Sequence, residues 1–246
     1  MGIAEDSVRL ENLTVTLVGP EFPINVGYAA RLIKNFGVRK LYLIEPNFDR
    51  RVASVYAAHG ADVLEDAEEL DFGVLRARHD LLVGTTAVTA VRRANVDRLG
   101  IAPEEVAGYV SSTKSASLVF GRDTTGLRND ELARCDVVTS IGTGTSYKTL
   151  NVSHSMGILL YVLSKSGMER RRLPDLGERD AFASYAYELA VVTGMEKQRA
   201  ERLRKLARRV TLRSQLDEKE MRLLISLMRR ANNAILERGN QTRSKT

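Results

Sequence analysis

The chain has 246 residues, 43% of them hydrophobic and 28% charged, with a formal net charge of +6. This composition is typical of a globular protein with a buried core, and no apolar run reaches the length of a membrane span. Cys135 is the only cysteine, which excludes an intrachain disulfide and favours a reducing, cytoplasmic location, and with three scattered histidines it predicts no metal site.

Apolar runs that predict strands alternate with amphipathic runs that predict helices along the first two thirds of the chain. Strands are predicted at 14–18, 40–45, 62–64, 80–86, 117–120 and 137–141, and helices at 25–36, at 53–59 and from 103 onward. Strands that alternate with helices form βαβ units, so the predicted fold class is α/β, with a mostly parallel sheet flanked by helices. Ligands of such sheets bind beyond the carboxyl ends of the strands.

The composition changes after residue 165. The predicted organisation is a domain, a linker and a small α-helical extension, at residues 1–165, 166–178 and 179–246. The extension has three amphipathic segments. The third opens with Asp217 and Glu220, which have the spacing of a capping box, and is predicted to end near Gly239.

Positive charge is concentrated in the same extension. Residues 166–246 hold 19 Lys and Arg against 11 Asp and Glu, whereas residues 1–165 hold 18 against 20. Between Lys197 and Arg213 there are eight basic residues and one acid. This surplus exceeds what solubility needs, so contact with nucleic-acid phosphates explains it better than a solvated helix face. The predicted RNA-binding residues are Arg199, Arg202, Arg204, Lys205, Arg208 and Arg209.

Three polar stretches interrupt the pattern where strands end. They read G-P-E-F-P-I-N-V-G-Y-A-A-R at 19–31, L-V-F-G-R-D-T-T-G-L at 118–127 and T-S-Y-K-T-L-N-V-S-H at 145–154. Their order and spacing resemble the three motifs of the SPOUT superfamily of RNA methyltransferases, over residues 12–163. The resemblance implies a trefoil knot near the C-terminal end of the sheet. It also implies a homodimer, in which the helices after the first motif and within the third pack across subunits.

The resemblance also implies a function. The expected reaction transfers a methyl group from S-adenosylmethionine to a ribose 2′-hydroxyl of tRNA. By resemblance the target is nucleotide 32 of the anticodon loop, with cytidine as the expected base and other nucleotides still open. Three alternatives remain at this point: another tRNA or rRNA position, a base methyltransferase on the same fold, and a non-catalytic RNA-binding module.

A bent S-adenosylmethionine needs apolar walls and many main-chain polar groups, which glycine and small residues at strand ends provide. The cofactor-binding residues implied by the resemblance are Thr85, Thr86, Ala87, Gly121, Ile141, Lys148, Thr149 and Leu150. A rival nucleotide motif fails. Gly121 and Gly126 have the spacing of a P-loop, but Leu127 and Arg128 stand where Lys and Ser or Thr are required.

The catalytic residues implied by the resemblance are Arg31, Asn25, Thr149 and Asn151. In the resembling enzymes the arginine helps to activate the ribose hydroxyl. With a pKa above about 12 an arginine is a poor free base, and binding the adjacent phosphate is easier, so both roles stay open. Asn25 is expected to orient Arg31 or the nucleotide. His154 is expected to be a packing residue.

Overall fold

The computed structural model describes residues 10–87, 100–165, 174–214 and 216–243. Contacts divide the chain into two compact units, residues 1–170 and residues 171–246, which are described separately below. Of the predicted linker at 166–178, residues 166–173 lie outside the described part of the chain.

The first unit alternates strands and helices. Its strands are β1 Leu13–Val18, β2 Lys40–Ile44, β3 Glu68–Glu69, β4 Leu81–Thr85, β5 Gly100–Ile101, β6 Ala116–Phe120 and β7 Val137–Thr139. Its helices are α1 Pro23–Phe36, α2 Arg50–Ala57, α3 Ala61–Glu65, α4 Phe72–Arg78, α5 Pro103–Ser112, α6 Asn129–Leu132 and α7 Val152–Lys165, with a short 3₁₀ turn at Ala58–Gly60.

The described strands form one sheet in the order β3-β2-β1-β6-β4-β7-β5. Every neighbouring pair is parallel. The predicted α/β fold with a parallel sheet and flanking helices is therefore confirmed. β1 and β6 are buried at every position, as expected for strands in a parallel sheet that is covered on both faces. The trefoil knot stays a prediction, and residues 88–99, between β4 and β5, lie outside the described part.

Local chemistry explains where α1 begins and ends. Pro23 opens the helix, where its missing N–H costs nothing, and Gly37 closes it in the left-handed conformation with φ 63°. The predicted glycine cap is thus confirmed. The strand predicted at 62–64 is wrong, because Ala61–Glu65 is a helix. Three residues are too few for periodicity to separate a helix from a strand.

The second unit contains three described helices: α8 Leu176–Val192, α9 Lys197–Arg213 and α10 Glu218–Arg243. α8 packs against both of the others. Small side chains on α8, including Ala183 and Ala186, meet Ala207 of α9 and allow the helices to approach closely. α8 begins inside the segment that was predicted as linker.

The start of α10 is fixed by a capping box. Asp217 Oδ1 accepts from the N–H groups of Lys219 and Glu220 at 2.8 and 2.9 Å, and Glu220 Oε2 accepts from the Asp217 N–H at 2.8 Å. This confirms the prediction from sequence. The predicted end near Gly239 is wrong, because the helix continues through it to Arg243. One glycine costs a helix only about 1 kcal/mol.

Candidate functional site

A cavity of about 240 Å³ lies at the carboxyl ends of β4, β6 and β7. All eight predicted cofactor-binding residues line it: Thr85, Thr86, Ala87, Gly121, Ile141, Lys148, Thr149 and Leu150. Residues that sequence reasoning had not assigned to the cofactor complete the wall: Phe120, Arg122, Asp123, Thr124, Thr125, Gly126, Leu127, Thr139, Ser140, Val152, Ser155 and Leu159. Apolar side chains, hydroxyl groups and exposed main chain therefore converge on one space.

The turn after β6 shapes one side of this cavity. The N–H of Arg122 donates to the carbonyl of Gly126 at 3.2 Å, and the N–H of Gly126 donates back at 2.9 Å. A Cβ on Gly121 would lie 2.0 Å from the carbonyl carbon of Gly126, and Gly126 itself has φ 69°. Both glycines are thus needed to build the turn, and both line the cavity as well.

A row of polar side chains joins the three motifs. Asn25 Nδ2 donates to Asp123 Oδ1 at 2.5 Å, and Asn25 Oδ1 accepts from Asn151 Nδ2 at 2.9 Å. Asn151 Oδ1 in turn accepts from the N–H and the hydroxyl of Ser153 at 2.8 and 2.7 Å. Asn25 is 6% exposed, so its amide depends on these partners. Two of the predicted catalytic residues, Asn25 and Asn151, are therefore in direct contact.

Arg31 lies in a different place from the other predicted catalytic residues. It is exposed and lines a mainly apolar groove between α1 and α7, formed by Tyr28, Arg31, Leu32, Asn35, Ser153, His154, Gly157 and Ile158. Among the described residues, none forms a hydrogen bond or an ion pair with its guanidinium. We call this the α1–α7 groove. Thr149, by contrast, lines the cavity at the ends of β4, β6 and β7.

α7 separates the cavity from the groove. Val152, Ser155 and Leu159 of this helix line the cavity, whereas His154 and Ile158 line the groove. The expectation that His154 is a buried packing residue is wrong, since it is exposed. Its apolar neighbours in sequence belong to two faces of one helix, and in the described part of this chain nothing covers its own face.

Arg122 is a site residue to which sequence reasoning gave no role. Its Nη1 donates to both carboxylate oxygens of Glu131 at 3.1 Å, and its Nη2 donates to Glu45 at 3.2 Å. The only signal in the sequence was an arginine directly after Gly121, at the end of a strand. Its partners lie 9 and 77 positions away.

The predicted RNA-binding residues of α9 separate into two groups. Arg202, Lys205 and Arg209 have the i, i+3, i+7 spacing of one helix face, and the first two are exposed. In the second group, Arg208 Nε lies 3.3 Å from Asp180 Oδ1, and Arg204 Nη1 lies 3.7 Å from Glu201 Oε2. Arg199 is also exposed.

No described helix is long and apolar enough to cross a membrane. No cluster of three or more His, Cys, Asp or Glu side chains suited to a metal ion occurs among the described residues.

Comparison with known proteins identifies the family. Residues 12–161 match the SpoU rRNA Methylase family. The chain belongs to this family. This SpoU methylase is 31% identical to the tRNA (cytidine-2′-O-)-methyltransferase TrmJ of Methanocaldococcus jannaschii, over 69% of the chain and 74% of that protein. It is 28% identical to the tRNA (cytidine/uridine/adenosine-2′-O-)-methyltransferase TrmJ of Pseudomonas aeruginosa, over 69% of the chain and 67% of that protein.

Solved structures extend the similarity along the chain. A probable methylase family protein from Haemophilus influenzae matches with a TM-score of 0.63 at 26% identity, over 95% of this chain and 99% of that one. TrmJ from Z. mobilis ZM4 matches in fold with a TM-score of 0.64 at 20% identity, over 87% of this chain and 96% of that one. The resemblance to SPOUT RNA methyltransferases is therefore confirmed.

Family membership also confirms S-adenosylmethionine as the cofactor of this SpoU methylase. The cavity fits such a group, because the apolar side chains of Phe120, Leu127 and Leu159 stand beside hydroxyl groups and a glycine turn. Thr85 does not offer its hydroxyl hydrogen to a ligand, since this side chain donates to the carbonyl of Val119 at 3.0 Å.

Proposed function

We propose that this SpoU methylase transfers a methyl group from S-adenosylmethionine to a ribose 2′-hydroxyl of tRNA, at a cytidine in position 32 of the anticodon loop. The names of its relatives support the substrate and the reaction. The observation that carries the proposal is the row Asp123–Asn25–Asn151, which joins the three motifs and whose Asp123 lines the cofactor cavity. A cytoplasmic location belongs to the same proposal, because tRNA is the substrate.

The reaction requires the ribose oxygen to bond to the methyl carbon while the carbon–sulfur bond breaks and its electron pair stays on sulfur. Bound S-adenosylmethionine supplies the activated methyl group. The chain has to orient the hydroxyl and let its proton leave to solvent. Arg31 is suited to hold the neighbouring phosphate through its planar fork of donors. We favour this positioning role over that of a base, because a guanidinium does not readily lose its proton.

The position of Arg31 leads us to propose a homodimer. Arg31 lies in the α1–α7 groove and not in the cofactor cavity. On the two helices that form the groove, Tyr28, Ile158 and Tyr161 are 38%, 40% and 56% exposed. A second copy that covers this apolar face would bring its own Arg31 to the cavity of its partner. Each active site would then take its cofactor cavity from one chain and Arg31 from the other.

We propose that the second unit holds tRNA through α9. The basic face defined by Arg202, Lys205 and Arg209, of which Arg202 and Lys205 are exposed, supports this, because each lysine or arginine that contacts a phosphate releases counterions. Replacing all three with glutamine should weaken tRNA binding and lower the slope of affinity against salt by about 2 to 3. Arg222→Gln is a matched control, since Arg222 is already paired with Glu178 at 3.1 Å.

The decisive experiment is to incubate the full chain with labelled cofactor and a tRNA transcript, and to map the methylated nucleotide. The proposal expects one 2′-O-methyl group at position 32, lost when that residue alone is 2′-deoxy. Methylation of the deoxy substrate would indicate a base methyltransferase. Methylation elsewhere would correct the position. A chain that binds tRNA but neither S-adenosylmethionine nor its demethylated product would be a non-catalytic module.

A control variant guards against inactive preparations. Arg31→Ala should abolish methylation while cofactor affinity is kept, because the proposed contact of Arg31 is with the substrate phosphate and it does not line the cofactor cavity of its own chain. Arg39→Ala removes an exposed arginine next to the amino end of β2, and the cavity lies at the carboxyl ends of the strands. This variant should remain active.

A further inference from the structure

Arg122 occupies the point where three strand-end loops meet. Its side chain is 15% exposed, and the Glu131 carboxylate that it binds is 3% exposed. Glu131 also accepts from the N–H of Arg128 at 2.6 Å. The second branch of the Arg122 guanidinium reaches Glu45, directly after β2. One guanidinium thereby connects the loop after β6, the loop after β2 and the first turn of α6.

The loop after β1 is pressed against the same side chain. A Cβ placed on Gly19 would lie 2.9 Å from both Cγ and Nε of Arg122, and Gly19 has φ 58°. Glu45, at the end of the neighbouring strand, also has a positive φ, of 49°, which is uncommon for a residue other than glycine. Both strand ends thus take a restricted backbone conformation where they meet Arg122.

The next residue along the chain holds the same loop from its other end. Asp123 Oδ2 accepts from the N–H groups of Glu21 and Phe22, both at 3.1 Å, while Oδ1 accepts from Asn25. The residue before α1, Phe22, makes no side-chain cap to the helix. Asp123 therefore takes the place of a cap and fixes where α1 starts, and Asn25 and Arg31 move with that helix.

We infer that Arg122 is a positioning residue for methyl transfer: by clamping the loop at 19–22 with Glu131 and Glu45, it sets the placement of α1 and its catalytic side chains. This inference rests on the proposed function for its catalytic readout. Arg122 also lines the cavity, but its guanidinium is held by the carboxylates of Glu131 and Glu45. The inferred role is therefore to act through Asn25 and Arg31, and the cofactor affinity of the variants tests that role.

The test compares two partly buried arginine–carboxylate pairs. Arg122 and Glu131 are 15% and 3% exposed, and Arg76 and Asp136 are 19% and 3% exposed. The second pair lies beside the amino ends of β4 and β7, at the ends of the strands opposite the cavity. There Asp136 also accepts from the Leu82 N–H. Arg122→Met and Arg76→Met should therefore lower the thermal midpoint by similar amounts, and only the first should impair catalysis.

We expect Arg122→Met to lower kcat on saturating tRNA by about tenfold or more, with cofactor affinity within about threefold of wild type. Arg122→Lys keeps the charge and the shaft over Gly19 but loses the fork, so it should give an intermediate kcat. Should Arg122→Met fail to fold, Arg122→Lys and Glu131→Gln replace it in the same comparison. An equal loss of kcat in Arg76→Met, or a parallel collapse of cofactor affinity in Arg122→Met, would overturn the inference.

Amide hydrogen exchange separates this inference from the proposed function. In the protein without substrate, Arg122→Met should speed exchange at Glu21 and Phe22, whose N–H groups are held by Asp123, and Arg76→Met should not. If wild type does not methylate tRNA yet this exchange pattern appears, the proposed function fails and the clamp stands. If exchange at both amides is unchanged in Arg122→Met, the clamp fails whatever the activity.

Discussion

Replacing Asn25 with aspartate tests the polar row at its centre. The new side chain has the same shape, and one of its oxygens still accepts from Asn151. The other oxygen replaces Nδ2 and faces Asp123 Oδ1 at the present separation of 2.5 Å. Two carboxylates at that distance cannot both ionise, so the folded variant must take up a proton that the pair shares.

The cost follows from the proton. Two full charges about 4 Å apart repel by about 4 kcal/mol at an effective dielectric constant of 20, and by more at a shorter distance. Keeping one proton at pH 7 on a carboxyl group with an ordinary pKa near 4 costs about 1.4 kcal/mol per pH unit, or about 4 kcal/mol. Proton uptake therefore limits the loss of stability in Asn25→Asp to about 4 kcal/mol at pH 7.

The sign of the pH dependence is the test. The folded variant binds one proton more than the unfolded chain, so its free energy of unfolding falls as pH rises, by about 1.4 kcal/mol per unit between about pH 5 and pH 7. Urea unfolding of wild type and variant at several pH values measures this difference. Asn25→Ala removes the hydrogen bonds to Asp123 and Asn151 without adding an acid, so its difference from wild type should not change with pH. A flat difference for Asn25→Asp as well would refute the contact with Asp123.

Further predictions concern the α1–α7 groove, the proposed catalytic role of Arg31 and the buried His79. Arg31→Lys should leave cofactor affinity near normal and lower the methylation rate by roughly 10²-fold or more, measured in single-turnover assays, because the planar fork is lost; full activity would remove Arg31 from the mechanism. Ile158→Glu should give inactive monomers in sedimentation, whereas Val55→Glu, at a 76% exposed site on α2, should stay dimeric and active; an active Ile158→Glu monomer would rule out the shared site. Burial lowers the pKa of His79, so as pH falls the unfolded chain takes up a proton before the folded chain does. The free energy of unfolding therefore decreases as pH falls below about 6.5, by at most about 1.4 kcal/mol per pH unit. A His79→Gln variant with an unchanged pH profile would contradict this.

The sheet and the cofactor cavity were predictable because both depend on local sequence. Apolar runs that end in glycine-rich turns indicate parallel strands and the edge where their ligands bind. The eight residues carried over from the family resemblance lie at such strand ends and in the third motif, and they meet in one cavity. The two-residue strands β3 and β5 carry too little pattern to be seen. The contact between Asn25 and Asp123 joins residues 98 positions apart, which no spacing within a motif indicates.

The misreading of His154 comes from the position of α7 between two different environments. Val152, Ser155 and Leu159 face the cofactor cavity, and His154 and Ile158, on the same two turns, face the α1–α7 groove. A helix that is apolar all round looks in sequence like a fully buried one. A helix with one face buried by its own chain and the other covered by a second chain has the same sequence pattern. In the proposed homodimer, Arg31 beside that open face is the residue whose role depends on the partner, and the Ile158→Glu variant tests the dimer and that role together.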